Sequence, residues 1–251
     1  MFGLFFGVII SNVVERKWLV GKRKGFFMKA IERLKDLLYR YRHGWVALYA
    51  LIYMPWFTYL EQHNTYGYYV IQSPIDNLIP FCEYFVVPYL LWFVYILATY
   101  LYFFFTDKKG FYRLCALMFT GMTLFLIICT VFPNGLHLRP YYFTRDNIFI
   151  DLVKMIYAKD TSTNVLPSLH VFNSLCCAIA LCKSDAMKKH KGIQIGACVL
   201  TVLIILSTMF LKQHSVTDVF AAFVMTIFIY PFVYEGAAEK RKKTQAAFHR
   251  T

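Results

Sequence analysis

His214 and Asp218 stand four residues apart at the start of one apolar run, and His170 closes the word Pro167-Ser168-Leu169-His170 at the start of another. Ionisable side chains are costly in such runs, so a functional reading begins with them. Residues four apart on a helix are stacked neighbours. Asp218 can therefore accept the proton of one His214 ring nitrogen and leave the other as a nucleophile or base, an arrangement suited to addition at phosphoryl or acyl groups. Pro167 suits a first helical turn, where Ser168 and Leu169 would present backbone N–H groups that lack intrahelical acceptors. Those donors, the helix dipole and the charge of Arg139 together make a cradle for phosphate. His170 would stand beside the same anion, placed to protonate a leaving oxygen.

Taken singly, each of these residues has a plainer reading. A lone histidine in an apolar run is a hydrogen-bonded packing group, Arg139 a snorkelling interfacial residue, Lys212 a lipid-headgroup contact, and Pro167-Ser168 a helix start. His43, His63, His137, His190 and His249 read as loop or surface residues. What favours the functional reading is that chance would have to place all the chemical groups on one side of a membrane.

The elements that must position them are apolar helices. The 251 residues are 59% hydrophobic and 19% aromatic with only 16% charged, too apolar for a soluble domain of this size and fit for an all-α, polytopic membrane protein. The net charge of +13 does not point to nucleic acid, because the basic residues lie in blocks between apolar runs, as cytoplasmic loops do. The seven cysteines sit in or beside apolar runs without metal-ligand spacing and read as small packing residues.

Residues 1–43 read as a basic membrane-surface segment. MFGLFFGVII is too short to span, and Ile31, Leu34, Leu37/Leu38 and Tyr41 give an amphipathic helix suited to an anionic membrane surface. Six spans are expected over 44–234: 44–60, 84–106, 114–131, 165–182, 192–211 and 214–234, followed by a basic tail, 235–251. Pro133-Asn134-Gly135 reads as a turn, and Ile148, Leu152, Met155 and Ile156 as a short helix at the outer surface, ended by Lys159–Asn164. With both termini cytoplasmic, 22 of the 27 Lys and Arg fall on the cytoplasmic side. Arg139, Arg145, Lys154, Lys159 and Lys212 then lie outside, with Pro167, the end of the fifth span and His214. Four distant polar segments thus converge on the outer face, as active sites between helices do. The same orientation holds for a bacterial inner membrane or an endoplasmic reticulum membrane, and the compact length and the absence of targeting or Asn-x-Ser/Thr signals favour the bacterial one as the expectation.

Arg139-Pro140, Pro167-Ser168-Leu169-His170, and Ser207-Thr208 followed at fixed spacing by His214 and Asp218 resemble the three signature motifs of the type 2 phosphatidic acid phosphatase (PAP2) superfamily. The resemblance covers about 44–234. It implies that His214 is a nucleophile forming a phosphohistidine, Asp218 its orienter, and His170 the acid for the leaving alcohol and then the base for water. It implies phosphate binding by Arg139, Ser168, Leu169, Ser207 and Thr208, and it requires neither metal nor cofactor. The substrate implied is a lipid phosphate monoester or a prenyl pyrophosphate. Three positions depart from the family pattern: Phe132 stands where a lysine is usual, Leu169 where a glycine is, and Thr208 where an arginine is. Each lost charged hydrogen bond removes about 1.5–3 kcal/mol. Relatives similar to inositol phosphorylceramide and sphingomyelin synthases also have reduced cation sets, so lipid phosphotransfer is the competing activity. A lipid transporter that keeps the fold is the non-enzymatic one. Lys212, or Arg145 with Tyr141 or Tyr142, are the candidates to restore the lost charge.

Overall fold

The computed structural model describes residues 28–29, 31–33 and 35–236. The chain divides into two compact units, Met1–Val46 and Ala47–Thr251. In the first, residues 28–29, 31–33 and 35–40 are helical, with Met28, Ile31, Leu37 and Leu38 exposed. The apolar run at 1–10, read as too short to span, and the basic tail beyond residue 236 lie outside the described residues.

The second unit is a bundle of α1 (Ala50–His63), α2 (Val86–Thr106), α3 (Lys108–Val131), α4 (Ile148–Lys159), α5 (Leu169–Lys183), α6 (Lys191–Phe210) and α7 (Val216–Tyr230). A π-helical turn, Pro231–Glu235, continues α7. Four segments are long and apolar enough to cross a membrane: Glu83–Thr106, Lys108–Val131, Lys191–Phe210 and Val216–Glu235. The fold is therefore an all-α membrane bundle. The other two expected spans are shorter as helices. Residues 44–60 are divided between a 3-10 helix, Arg42–Tyr49, and α1. The 15 residues of α5 reach only about 22 Å at 1.5 Å per residue, against a hydrocarbon core of about 30 Å.

Local chemistry explains the boundaries that differ. Lys108, Lys109 and Arg113 read as loop, yet they form the first turns of α3. Asp107 Oδ1 accepts the N–H groups of Lys109 and Gly110 at 3.0 Å each, capping α3 directly after it ends α2. Pro133-Asn134-Gly135 forms a two-residue strand instead of a turn. Asn134–Gly135 (β2) pairs in parallel with Tyr69–Val70 (β1), and Gly135 also bridges to Thr163. A Cβ at Gly135 would lie 2.7 Å from the Tyr68 ring and 2.9 Å from the Ser162 carbonyl, so only glycine lets the three segments meet. Asn134 fastens the same junction. Its Oδ1 accepts from the N–H groups of Val165 (3.0 Å) and Leu166 (2.9 Å), just ahead of α5.

The short α5 sits at the centre, packed against α2, α3, α6 and α7. Its Phe172 is fully buried against Gly121 of α3, where a Cβ would lie 2.1 Å from the ring. A helical glycine costs about 1 kcal/mol relative to alanine, and here it admits the ring. Gly121→Ala is accordingly expected to lower stability by about 1–3 kcal/mol through overpacking, read as a lower thermal unfolding midpoint of the detergent-solubilised protein.

The two ends of the bundle carry different chemistry. At one, Lys109, Arg113, Lys183, Asp107, Asp185 and Tyr234 surround a 450 Å³ cavity. At the other gather the loop after α1, the 133–147 segment, the α4 C-terminus, the start of α5 and the α6–α7 turn. Those are the segments that the charge distribution assigned to the outer face.

Candidate active site

The α6–α7 turn is held by one carbonyl. Thr208 O accepts the N–H groups of Gln213 (2.9 Å) and His214 (3.1 Å), and Lys212 takes a left-handed φ of 55° to close the turn. Ser215 then caps α7 in a capping box: its side chain accepts from the first turn, and Asp218 Oδ2 accepts the Ser215 N–H at 3.0 Å. The same Asp218 oxygen lies 3.3 Å from His214 Nδ1, which leaves Nε2 as the outward ring nitrogen. Asp218 is fully buried, and its Oδ1 has no hydrogen-bond partner among the described residues. The spacing of four read from sequence therefore places the Asp218 carboxylate against the His214 ring.

A second carboxylate, Asp76, supports that helix start. Its Oδ1 accepts the Val216 N–H at 2.8 Å, and its Oδ2 accepts the Ser215 hydroxyl at 2.6 Å and the Ser73 N–H at 2.7 Å. Negative charge at a helix N-terminus is favourable, and here it braces the turn that carries His214.

At α5, Ser168 is the N-cap, so Pro167 precedes the helix and does not occupy its first turn. The Ser168 N–H, expected to be free for an anion, donates to the Asp218 carbonyl at 3.2 Å. That bond ties the start of α5 to the first turn of α7 and so fixes His170 relative to His214. The two rings lie 5.6 Å apart between centroids. His170 stacks on Tyr89 (4.6 Å) and packs at a tilt against Trp92 (4.3 Å), both from α2.

Both histidines line one cavity of 310 Å³. Tyr53, Met54 and Phe57 of α1 and Phe93 of α2 give it an apolar wall, and Leu169 also faces it. Glu61, Asp160, Thr161, Asn164 and Gln213 give it a polar one, and no Lys or Arg is among the lining residues. Glu61 is fixed by Asn164 Nδ2 (2.7 Å) and Thr161 Oγ1 (2.6 Å), and Asp160 accepts from the Tyr89 hydroxyl at 3.3 Å. Burial raises the Asp160 carboxyl above its usual range, opposed by the charges of Arg139 and His214.

The remaining candidates face the protein. Arg139 donates from Nη1 to the carbonyls of Tyr157 (3.2 Å) and Asp160 (2.9 Å), and from Nη2 to the Thr161 carbonyl (2.9 Å) and Gln213 Oε1 (2.5 Å). Its guanidinium also stacks on the Tyr157 ring at 4.5 Å. Burial depresses its pKa, while Asp160 pushes it back up. Lys212 Nζ donates to the carbonyls of Asp76 (2.6 Å) and Ile79 (2.5 Å), and burial lowers its pKa against the pull of Asp76. Ser207 and Thr208 are fully buried, with hydroxyls donating to the carbonyls of Ile204 and Ile205. Arg145 pairs with buried Glu83 at 2.9 Å beside a separate cavity bordered by Tyr141 and Tyr142. Phe132 stacks on Tyr69 at 4.8 Å.

Residues 116–242, half of the chain, match the family model of the PAP2 superfamily. The chain belongs to the PAP2 superfamily. Nothing matches it among curated proteins or among solved structures. PAP2 members are generally phosphatases, which sets the coarse activity class as hydrolysis of a phosphoric monoester.

The PAP2 match begins within α3, yet α1 supplies Glu61 and three apolar residues of the cavity. Sequence reasoning singled out neither Glu61, Asp160, Asn164 nor Gln213 for the site, nor Asp76 and Asn134 behind it. Most of their partners are some 30 to 140 residues away, beyond any local spacing. Gln213 alone carried a local signal, being adjacent to His214.

Proposed function

We propose that this PAP2 protein cleaves the phosphate ester of a membrane lipid, a lipid phosphate monoester or a prenyl pyrophosphate, through a phosphohistidine on His214. The observation that carries the reading is that His214, oriented by Asp218, and His170 face the same cavity with rings 5.6 Å apart.

His214 Nε2 attacks phosphorus, and the bond from phosphorus to the lipid oxygen breaks. His170, protonated, gives its proton to that oxygen, so the lipid leaves as an alcohol, or as a monophosphate from a pyrophosphate. Neutral His170 then takes a proton from water as the water oxygen attacks the phosphohistidine. Inorganic phosphate leaves and both histidines are restored. Asp218 holds the His214 tautomer and offsets the positive charge on the phosphorylated ring. The wall of Tyr53, Met54, Phe57 and Phe93 suits the apolar part of a lipid. The positive-inside distribution supports reading this end of the bundle as the non-cytoplasmic face, with both termini cytoplasmic. A bacterial inner membrane and N-terminal contact with an anionic surface complete the reading.

The cavity wall favours a second reading. Glu61 and Asp160 line it without a Lys or Arg, so a dianionic monoester meets like charge where a monoanionic phosphodiester meets less. A diester donor with a lipid alcohol as acceptor, in place of water, makes the enzyme a phosphotransferase.

One experiment separates the readings. Purified protein in detergent is given phosphatidic acid, lysophosphatidic acid, a prenyl pyrophosphate and labelled phosphodiester lipids, each with and without a lipid alcohol. Phosphate release from the first three without acceptor is expected. Acceptor-dependent movement of the labelled headgroup, with no phosphate released, replaces hydrolysis by transfer. Lipid movement across vesicles with neither reaction removes the enzyme class.

A further inference from the structure

Beside the cavity is a buried polar group whose hydrogen-bonding capacity the described residues leave unused. Gln213 is 5% exposed, lines the cavity beside His214, and its Nε2 has no hydrogen-bond partner among the described residues. The orientation of its amide is set by chemistry. A guanidinium can only donate, so the amide atom 2.5 Å from Arg139 Nη2 is the oxygen, and the NH₂ group is turned away from Arg139.

Burying an amide NH₂ without an acceptor is unfavourable, and native proteins keep few such groups without a reason. Arg139 itself is committed: both Nη atoms are bonded to protein oxygens, three of them carbonyls of the α4 C-terminus and the loop after it. It holds the amide and leaves the free donor to Gln213. The backbone is equally fixed, since the Gln213 N–H donates to Thr208 O, the acceptor that also holds His214. The free donor is thus tied at one residue's distance to the ring that attacks.

We propose that Gln213 is a phosphate-binding residue, whose Nε2 donates to a phosphoryl oxygen of the group attacked by His214, with Arg139 as the residue that positions its amide. The proposal rests on the reading of His214 and His170 as the reacting pair, and adds the donor that grips the phosphoryl group where no Lys or Arg lines the cavity. A neutral donor also leaves the charge balance to the substrate, in keeping with Glu61 and Asp160 on the same wall.

The test uses Gln213→Glu and Gln213→Leu in the full-length protein. Glutamate keeps the oxygen that Arg139 grips and removes the NH₂, whereas leucine removes both. Binding of inorganic phosphate is measured by titration calorimetry, so the readout does not depend on turnover, and helical circular dichroism with thermal unfolding checks the fold. Both variants are expected to bind phosphate about ten- to a hundredfold more weakly, the loss of one hydrogen bond to a charged group. In a substrate that wild type hydrolyses, KM rises in both. If Gln213→Glu binds phosphate like wild type while Gln213→Leu does not, Gln213 only braces Arg139 and the proposal is overturned. It is overturned equally if wild type binds no phosphate. If wild type releases no phosphate from any lipid, yet binds it and both variants lose that binding, the grip stands and the hydrolytic reading falls.

Discussion

His214→Ala is expected to end phosphate release, with a loss in kcat of about 10⁴- to 10⁶-fold, the scale seen when a covalent nucleophile is removed. No other described group has its combination of position and partner. The ring lies at the junction of the α6–α7 turn, its backbone fixed by Thr208 O and its Nδ1 facing Asp218 Oδ2 at 3.3 Å. The variant should fold, because the backbone hydrogen bond and the Ser215 capping box do not use the imidazole. Asp218→Asn should fall between this variant and wild type, by up to about 10⁴-fold, since an amide oxygen in the place of Oδ2 can still accept from the Ser215 N–H and His214 Nδ1 but brings no negative charge to offset the charge on the phosphorylated ring, and its NH₂ is buried where Oδ1 has no partner. The check is phosphate release on the lipid that wild type uses, together with acid-labile labelling of the protein by a substrate bearing radioactive phosphate. Wild type should label, and His214→Ala should not. Full activity in His214→Ala would remove the covalent route.

How much of this was legible in sequence depends on the distance over which the signal acts. Uncharged runs gave α2 and α6 to within about two residues, because apolar length is a local property. The helix Ile148–Lys159 was legible from its 3.6-residue period, but the residues it buries are Ile150 and Val153, while Ile148 and Met155 of the expected stripe are exposed. The start of α3 was not. The cap that begins it belongs to Asp107, and Lys108-Lys109 looked like the end of a loop. Nor was β2, since a parallel pair between residues 69–70 and 134–135 leaves no trace in either stretch. In the site, His214 and Asp218 were legible because a helix turns a spacing of four into a contact, and the side shared by His170 followed from topology. Charge behaved differently. The membrane side of Arg139, Arg145 and Lys212 could be counted, but not the direction of their side chains, which are held by carbonyls and by Glu83. Asp76 reaches α7 from 140 residues away in sequence, and only the folded chain shows that it accepts from the first N–H of the helix that follows His214.

His170→Gln is expected to separate the two halves of the reaction. Glutamine approximates the polarity of the ring but transfers no proton, so cleavage of a lipid ester, whose alcohol leaves poorly, should slow by about 10²- to 10⁴-fold. A p-nitrophenyl ester, whose leaving group departs without a proton, should lose far less in its first step. Water attack on the phosphohistidine still needs the base, so the second step slows for both substrates. With the activated ester the variant should therefore give a burst of p-nitrophenol matching the enzyme concentration, followed by slow turnover, and a phosphorylated His214 that persists long enough to be trapped. The placement of His170 makes this a direct test of its role. The ring is packed against Tyr89 and Trp92, and the Ser168 N–H bond to the Asp218 carbonyl keeps its helix start against α7 without help from the side chain. Equal losses on both esters with no burst would mean that the ring shapes the cavity, and that the proton for the leaving oxygen comes from another group, with Asp160 on the same wall the next to substitute.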